Sequence, residues 1–284
     1  DRSGSDADPA LDDTGTDDGA TGDGTSTQEG SLADFVSEAV AFIEDLRGAP
    51  FEERPVVVAL SDADFIARVE NELEADFAED PDLVERDTVV QRAIGFIGPD
   101  QTSDEVLRQF LAAGVLGFYD PETKELVVRQ VAELDLLTKS TIVHELTHAY
   151  DDQHFDLDRP ELDDDDFTER SWTFGAIAEG SASHVETAWV NALSSLEQSD
   201  LRYQESNFGD PGMFASFDFA YLLLQVSVYV EGEPYVDSLV ANGGYGALAA
   251  AFAELALTSE QIMERDPAVD TEPVYVPVPP SDGD

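Results

Sequence analysis

The sequence predicts an α+β fold, mostly helical, with a small sheet or hairpin just ahead of a helix that carries two histidines. Three observations lead there. Apolar residues recur at helical spacing through most of the chain from Ser31 onward. Strand-like β-branched runs are few and short, "PVVVAL" and the two arms of "GVLGFYDPETKELVVRQV". The helical segment "DLLTKSTIVHELTHAYDD" comes directly after that hairpin.

Residues 1–30 are Asp, Gly, Ser and Thr with almost nothing to bury, and are expected to form a disordered acidic leader. In "SLADFVSEAVAFIEDLRG", Leu32, Phe35, Val36, Ala39, Val40 and Ile43 share a helical face, and Gly48 is the stop. Pro55–Leu60 reads as a strand, followed by a helix capped by Ser61 or Asp62 and running to about Ala78. Helices are expected over Pro81–Phe96 and Ser103–Ala113, then a hairpin over Val115–Val131 that turns at Pro121. The histidine helix buries Leu136, Val143, Leu146 and Tyr150. A long helix spans about Phe167–Leu196, an apolar one Phe214–Val230, and a last one follows the "NGGYG" turn. These elements divide into a leader (1–30), an N-terminal α/β extension (31–98), a main domain (99–268) and an extended, Pro-rich acidic tail (269–284).

The charge is extreme. Acids number 63 against 14 bases, for a net charge of −49. The leader supplies only −8 of this, which leaves −41 on the rest. Such a body repels phosphate backbones and anionic lipid, which argues against nucleic-acid binding. It fits a halophilic protein, whose carboxylates stay solvated while salt screens their repulsion; a melting temperature that rises with KCl is the matching signature. With no cysteine there is neither a disulfide framework nor a thiolate metal site. No apolar run is long enough to span a membrane. The chain opens on Asp1 rather than Met. The leader reads either as a spacer behind a removed signal or anchor, the expectation being an extracellular or cell-surface protein with the cytoplasm as alternative, or as a frayed terminus with no role.

His144 and His148 stand four apart with Glu145 between them. That HExxH spacing sets two imidazoles on one helical face, where a single ion meets both. A catalytic zinc takes three protein ligands and keeps a position open for water, whose proton Glu145 is placed to accept. Two residues compete for third ligand. His154 fits HExxHxxxxxH only if the chain turns at Asp151, where metzincin-type peptidases have glycine; on a continuing helix it lies about 240° round from His148. Glu179 stands in "FGAIAEGSASHVE" among small apolar residues that permit close helix approach, and a buried carboxylate there needs a partner. The balance favours Glu179. His184, about 140° round the helix from Glu179, reads as packing or surface. Tyr229, Tyr235 and Tyr245 are core residues first and oxyanion donors second. Met213 is a weak match to a metzincin Met-turn. The Asp163–Asp166 run reads as a solvated loop more than a calcium site.

"GFYDPETKELVVR", "TIVHELTHAYDDQHFDL", "AIAEGSASHV", "YVEGEPYV", "ANGGYGAL" and "TSEQIM" together resemble an uncharacterised family of predicted bacterial and archaeal zinc metallopeptidases, gluzincin-like in having HExxH followed by a distant glutamate. The resemblance covers about Gly95–Pro267, and its HExxH block is the specific part. It implies a zincin-like fold, His144, His148 and Glu179 as ligands of one zinc ion, Glu145 as general base, and a peptide or protein substrate. Two positions depart from the pattern. A family histidine is replaced by Glu264 in "EQIMERDP", and the aspartate that follows the ligand glutamate by four in thermolysin-type enzymes is Ser183 here. Another acceptor must then hold a histidine, and Asp152, one turn past His148, is the candidate. The expectation is a zinc peptidase. Its alternatives are a zincin-shaped binding or scaffold protein without turnover, and a hydrolase of non-peptide amides.

Overall fold

The computed structural model describes residues 24–79, 82–130, 134–159, 162, 168–209, 212, 215–254, 258–266 and 268–269. The expected leader through residue 23, Val131, Asp163–Asp166, Met213 and the tail from residue 270 lie outside them. The elements in order are α1 (Gly24–Arg47), β1 (Val56–Leu60), α2 (Asp62–Glu79), α3 (Leu83–Ile94), α4 (Ser103–Gly114), β2 (Gly117–Asp120), β3 (Glu125–Arg129), α5 (Leu136–Phe155), α6 (Thr168–Ala192), α7 (Ser195–Asn207), α8 (Phe219–Gly243), α9 (Tyr245–Ala253) and α10 (Ser259–Glu264). The fold is thus mostly helical with a small three-stranded sheet, as the α+β expectation had it. Among the described residues no helix is long and apolar enough to cross a membrane.

The sheet has the order β1-β3-β2. β3 pairs parallel with β1 and antiparallel with β2, so Val127 faces both Val58 and Phe118. As the central strand it is covered on both faces, and Leu126, Val127 and Val128 are all buried. The β2–β3 turn is built by Asp120, whose side chain accepts from the Glu122 and Thr123 amides. Lys124 completes that turn in the left-handed region at φ 59°.

Two cores flank α6. In the first, Phe35, Val36, Ala39, Val40 and Ile43 of α1 meet Leu126 and Val128 of β3 and Ile142, Val143, Leu146 and Tyr150 of α5. In the second, Phe174, Ala176 and Ile177 of α6 meet Tyr235, Val236 and Leu239 of α8, Leu248 and Phe252 of α9 and Ile262 of α10. Within the stretch expected as an N-terminal extension, α1 shares this core and β1 pairs with β3, so both pack directly on the later elements.

Other elements differ too: α6 ends at Ala192 short of the expected Leu196, and α7 and α10 were not anticipated. α1 begins at Gly24, inside the segment expected to be disordered. α8 runs through Pro234 to Gly243, where the sequence pattern stopped near Val230. A helix interior normally rejects proline because of its missing N–H. Here tight packing of α8 on α6 holds the helix together: a Cβ on Gly232 would lie 2.0 Å from the Ala176 carbonyl oxygen.

Candidate metal centre

α5 opens with Asp135, whose side chain accepts from the Thr138 amide, and continues without a break past Asp151 to Phe155. Nearly every side of it is buried. Its regular pitch brings His144 and His148 to one face, with ring centroids 4.9 Å apart. α6 crosses this face and delivers Glu179 between the two rings. Glu179 Oε2 is 3.1 Å from His144 Nε2 and 3.3 Å from His148 Nε2, and the two Nε2 atoms are 3.2 Å apart. Among the described residues these three form the one group of His, Asp and Glu side chains able to hold a metal ion.

The triangle fits an ion. A tetrahedral centre with zinc-like bonds of 2.0–2.1 Å separates its ligand atoms by about 3.3 Å, close to all three edges. Two imidazoles and a carboxylate are also a donor set suited to zinc or a related divalent metal.

Of the two residues that compete for the third position, the geometry joins Glu179 to the histidine pair. Glu179 reaches both histidines. His154 does not join them: its Nδ1 bonds to the Tyr150 carbonyl oxygen at 2.8 Å, and its ring stacks on Tyr150 at 4.1 Å. Asp151, where a turn would have been needed, sits inside the helix and is fully buried.

The electrostatics match a site that waits for a cation. Burial alone would keep His144 neutral, but Glu179 and Glu186 raise its pKa well above the ordinary imidazole value. His148 is raised too, against its burial, by Glu179. Burial pushes Glu179 upward, yet the two histidines more than reverse that and hold it well below the usual carboxylate range. Glu145 is raised, chiefly by burial. Imidazole ligands must be deprotonated to bind a metal, so an ion here would compete with protons for the two histidines.

Three residues around the triangle went unrecognised in the sequence. Glu186 Oε2 lies 3.1 Å from His144 Nδ1, and its other oxygen accepts from Ser140 Oγ at 2.6 Å. This is the acceptor assigned to Asp152, which instead accepts from the Tyr119 hydroxyl, Lys124 Nζ and the Leu157 amide. The available signal was spacing, because Glu186 is seven residues past Glu179 and so on the same helical face. The Tyr119 backbone N–H donates to Glu145 Oε2 at 2.9 Å. β2 is an edge strand, and Arg129 N–H donates to Leu116 O, so in the antiparallel alternation Gly117 and Tyr119 turn their peptide groups to the free edge. Arg47, from the far end of α1, closes a buried knot behind His148 and Glu179.

Of the three tyrosines, Tyr229 alone reaches the centre. Its ring is 6.0 Å from that of His144 and its hydroxyl bonds to Glu179; burial and the surrounding carboxylates raise its pKa. Tyr235 is a core residue whose hydroxyl is pushed up to about 12 by burial. Tyr245 bonds to His184 Nε2 at 3.2 Å, while His184 Nδ1 takes Asp237 at 2.6 Å, so His184 bridges α6 to α8 and α9 away from the ligands. Glu264 is an exposed residue of α10. No protein-family model, curated protein or solved structure matches the chain.

Proposed function

We propose that this protein is a zinc-dependent peptidase of zincin-like fold, related to the gluzincin-like metallopeptidases that its motifs resemble. One observation carries the reading: His144, His148 and Glu179 converge to an ion-sized triangle with Glu145 beside it. A bound zinc ion would supply Lewis acidity, acidifying a water and polarising a carbonyl. The chain supplies the rest. His144, His148 and Glu179 hold the ion. Glu145, fixed by the Tyr119 amide, takes a proton from the attacking water and returns it to the departing nitrogen. The free edge of β2 offers the Gly117 peptide group and the Tyr119 carbonyl to an extended peptide by strand addition. Tyr229 is placed to donate to the carbonyl oxygen as its charge develops. The strongly acidic surface suits work at high salt.

The test is Glu145→Gln. The variant should bind zinc like the parent, because Glu145 is not a ligand, yet hydrolyse a casein-like substrate slower by several orders of magnitude. Parent-like turnover in the variant would remove Glu145 from the chemistry and with it the peptidase reading.

A further inference from the structure

The two ligand-bearing helices are fastened to each other at two points, each within one turn of a ligand. Ahead of His144, Ser140 donates to Glu186 at 2.6 Å. Behind His148, Ser181 donates to Asp151 Oδ2 at 2.6 Å. The second tie includes a third element. Arg47, the last residue of α1, donates from Nη2 to Asp151 Oδ1 at 2.6 Å and from Nη1 to Ser181 Oγ at 2.9 Å. The three side chains close a ring of directional bonds, and the Arg47 and Asp151 side chains are 2% and 0% exposed. The guanidinium lies 4.8 Å from the centre of the Tyr150 ring and 5.1 Å from that of Tyr245, which fixes its plane. Among the described residues Arg47 is the one base that reaches Asp151.

We propose that Arg47 is a positioning residue for the metal centre, and that α1 is thereby part of the site; this rests on the metal-binding reading above. Asp151 is three residues past His148, and Ser181 two past Glu179. Arg47 therefore sets the spacing of α5 and α6 beside their ligands. A slide of about one ångström at this knot would carry Glu179 out of a triangle whose edges are 3.1–3.3 Å. Stability alone is a poor reason for the arrangement, since apolar side chains filling the same space usually do as well as a buried ion pair. Apolar packing does not set a distance between two helices as three directional bonds do.

Two variants of the full chain test this, with zinc affinity read by competition against a chromophoric chelator. Arg47→Lys keeps the charge but replaces a flat fork with a point donor that cannot hold Asp151 and Ser181 together. Ser181→Ala removes one corner of the ring and leaves the charge pair intact. Zinc affinity should fall tenfold or more in the first and severalfold in the second. A Leu248→Ala variant, in the second core, should lose stability yet keep parental affinity. If both ring variants bind zinc within twofold of the parent, whatever their melting temperatures, the knot is structural and the proposal is wrong. If the parent binds no zinc, the metal reading itself fails and takes this inference with it.

Discussion

α6 touches its two neighbours in opposite ways. Toward α8 it offers Gly180, and α8 answers with Gly232. A Cβ on Gly180 would lie 2.4 Å from the Gly232 carbonyl, so backbone meets backbone. Toward α5 it offers the polar side chains of Glu179, Ser181 and Glu186, alongside the apolar Val185, which packs with Ile142, Val143 and Leu146. The first face holds position at the Gly180–Gly232 contact, and Tyr229 of α8 reaches across it to Glu179. The second carries chemistry, but each donor and acceptor in it must be satisfied or the buried group becomes a liability. The difference also corrects an argument from sequence. The small residues around Glu179 suggested close approach to the histidine helix. Gly180, the smallest, serves the opposite neighbour, and α6 is pressed against α8 so that its polar face stands at a fixed distance from α5.

The largest break in this comparison should come from Gly232→Ala. Alanine gains up to about 1 kcal/mol over glycine in a helix interior. That gain is outweighed, because the new methyl would meet the Ala176 carbonyl oxygen, a backbone atom that cannot rotate away. α6 and α8 must separate, with a net loss of about 3 kcal/mol by analogy with overpacked cores. Thermal or urea unfolding measures it. A variant as stable as the parent would show that the glycine contact is incidental.

Next in size is the contrast between Glu179→Ala and His154→Ala, which breaks the chemical face and leaves the glycine face alone. Loss of one of three ligands should weaken zinc binding by more than the roughly 10–100-fold typical of a supporting residue. His154→Ala should change it little, because His154 bonds within its own helix. The reversed order would require α5 to bend at Asp151. That is a poor place for a bend, since Asp151 is buried and paired with Arg47.

What the sequence made legible follows from range. The HExxH pair is local, and four residues of helix suffice to predict that His144 and His148 share a face. Glu179 was reachable because a lone carboxylate in an apolar helix asks for a partner. Arg47 was not, because its partner Asp151 is 104 residues away and no periodicity links them. Glu186 was hidden by noise: in a chain with 63 acids, its seven-residue spacing from Glu179 does not stand out. The end of α8 was missed as well: the apolar run was read as stopping near Val230, while the helix continues through Pro234 to Gly243.

The finest test of the chemical face is Glu186→Gln, which changes one atom of the centre's support and no ligand. Glu186 accepts from His144 Nδ1 through one oxygen and from Ser140 Oγ through the other. With a metal bound, that would fix the ring's tautomer, leave the Nε2 lone pair for the ion and make the imidazole a stronger donor to it. Glutamine can keep the bond to Nδ1 through its carbonyl. Its NH2 group cannot accept from Ser140, and its charge is gone. Zinc affinity should therefore fall about 10–100-fold, less than for Glu179→Ala, with the helices still in place. Asp152→Asn is the matched control. Asp152 lies one turn past His148 on the same helix, but its oxygens face Tyr119, Lys124 and the Leu157 amide, so that variant should bind zinc much as the parent does. If instead Asp152→Asn is the weaker binder of the two, Glu186 is not the group that orients His144, and the two ties between α5 and α6 reduce to the one at Asp151.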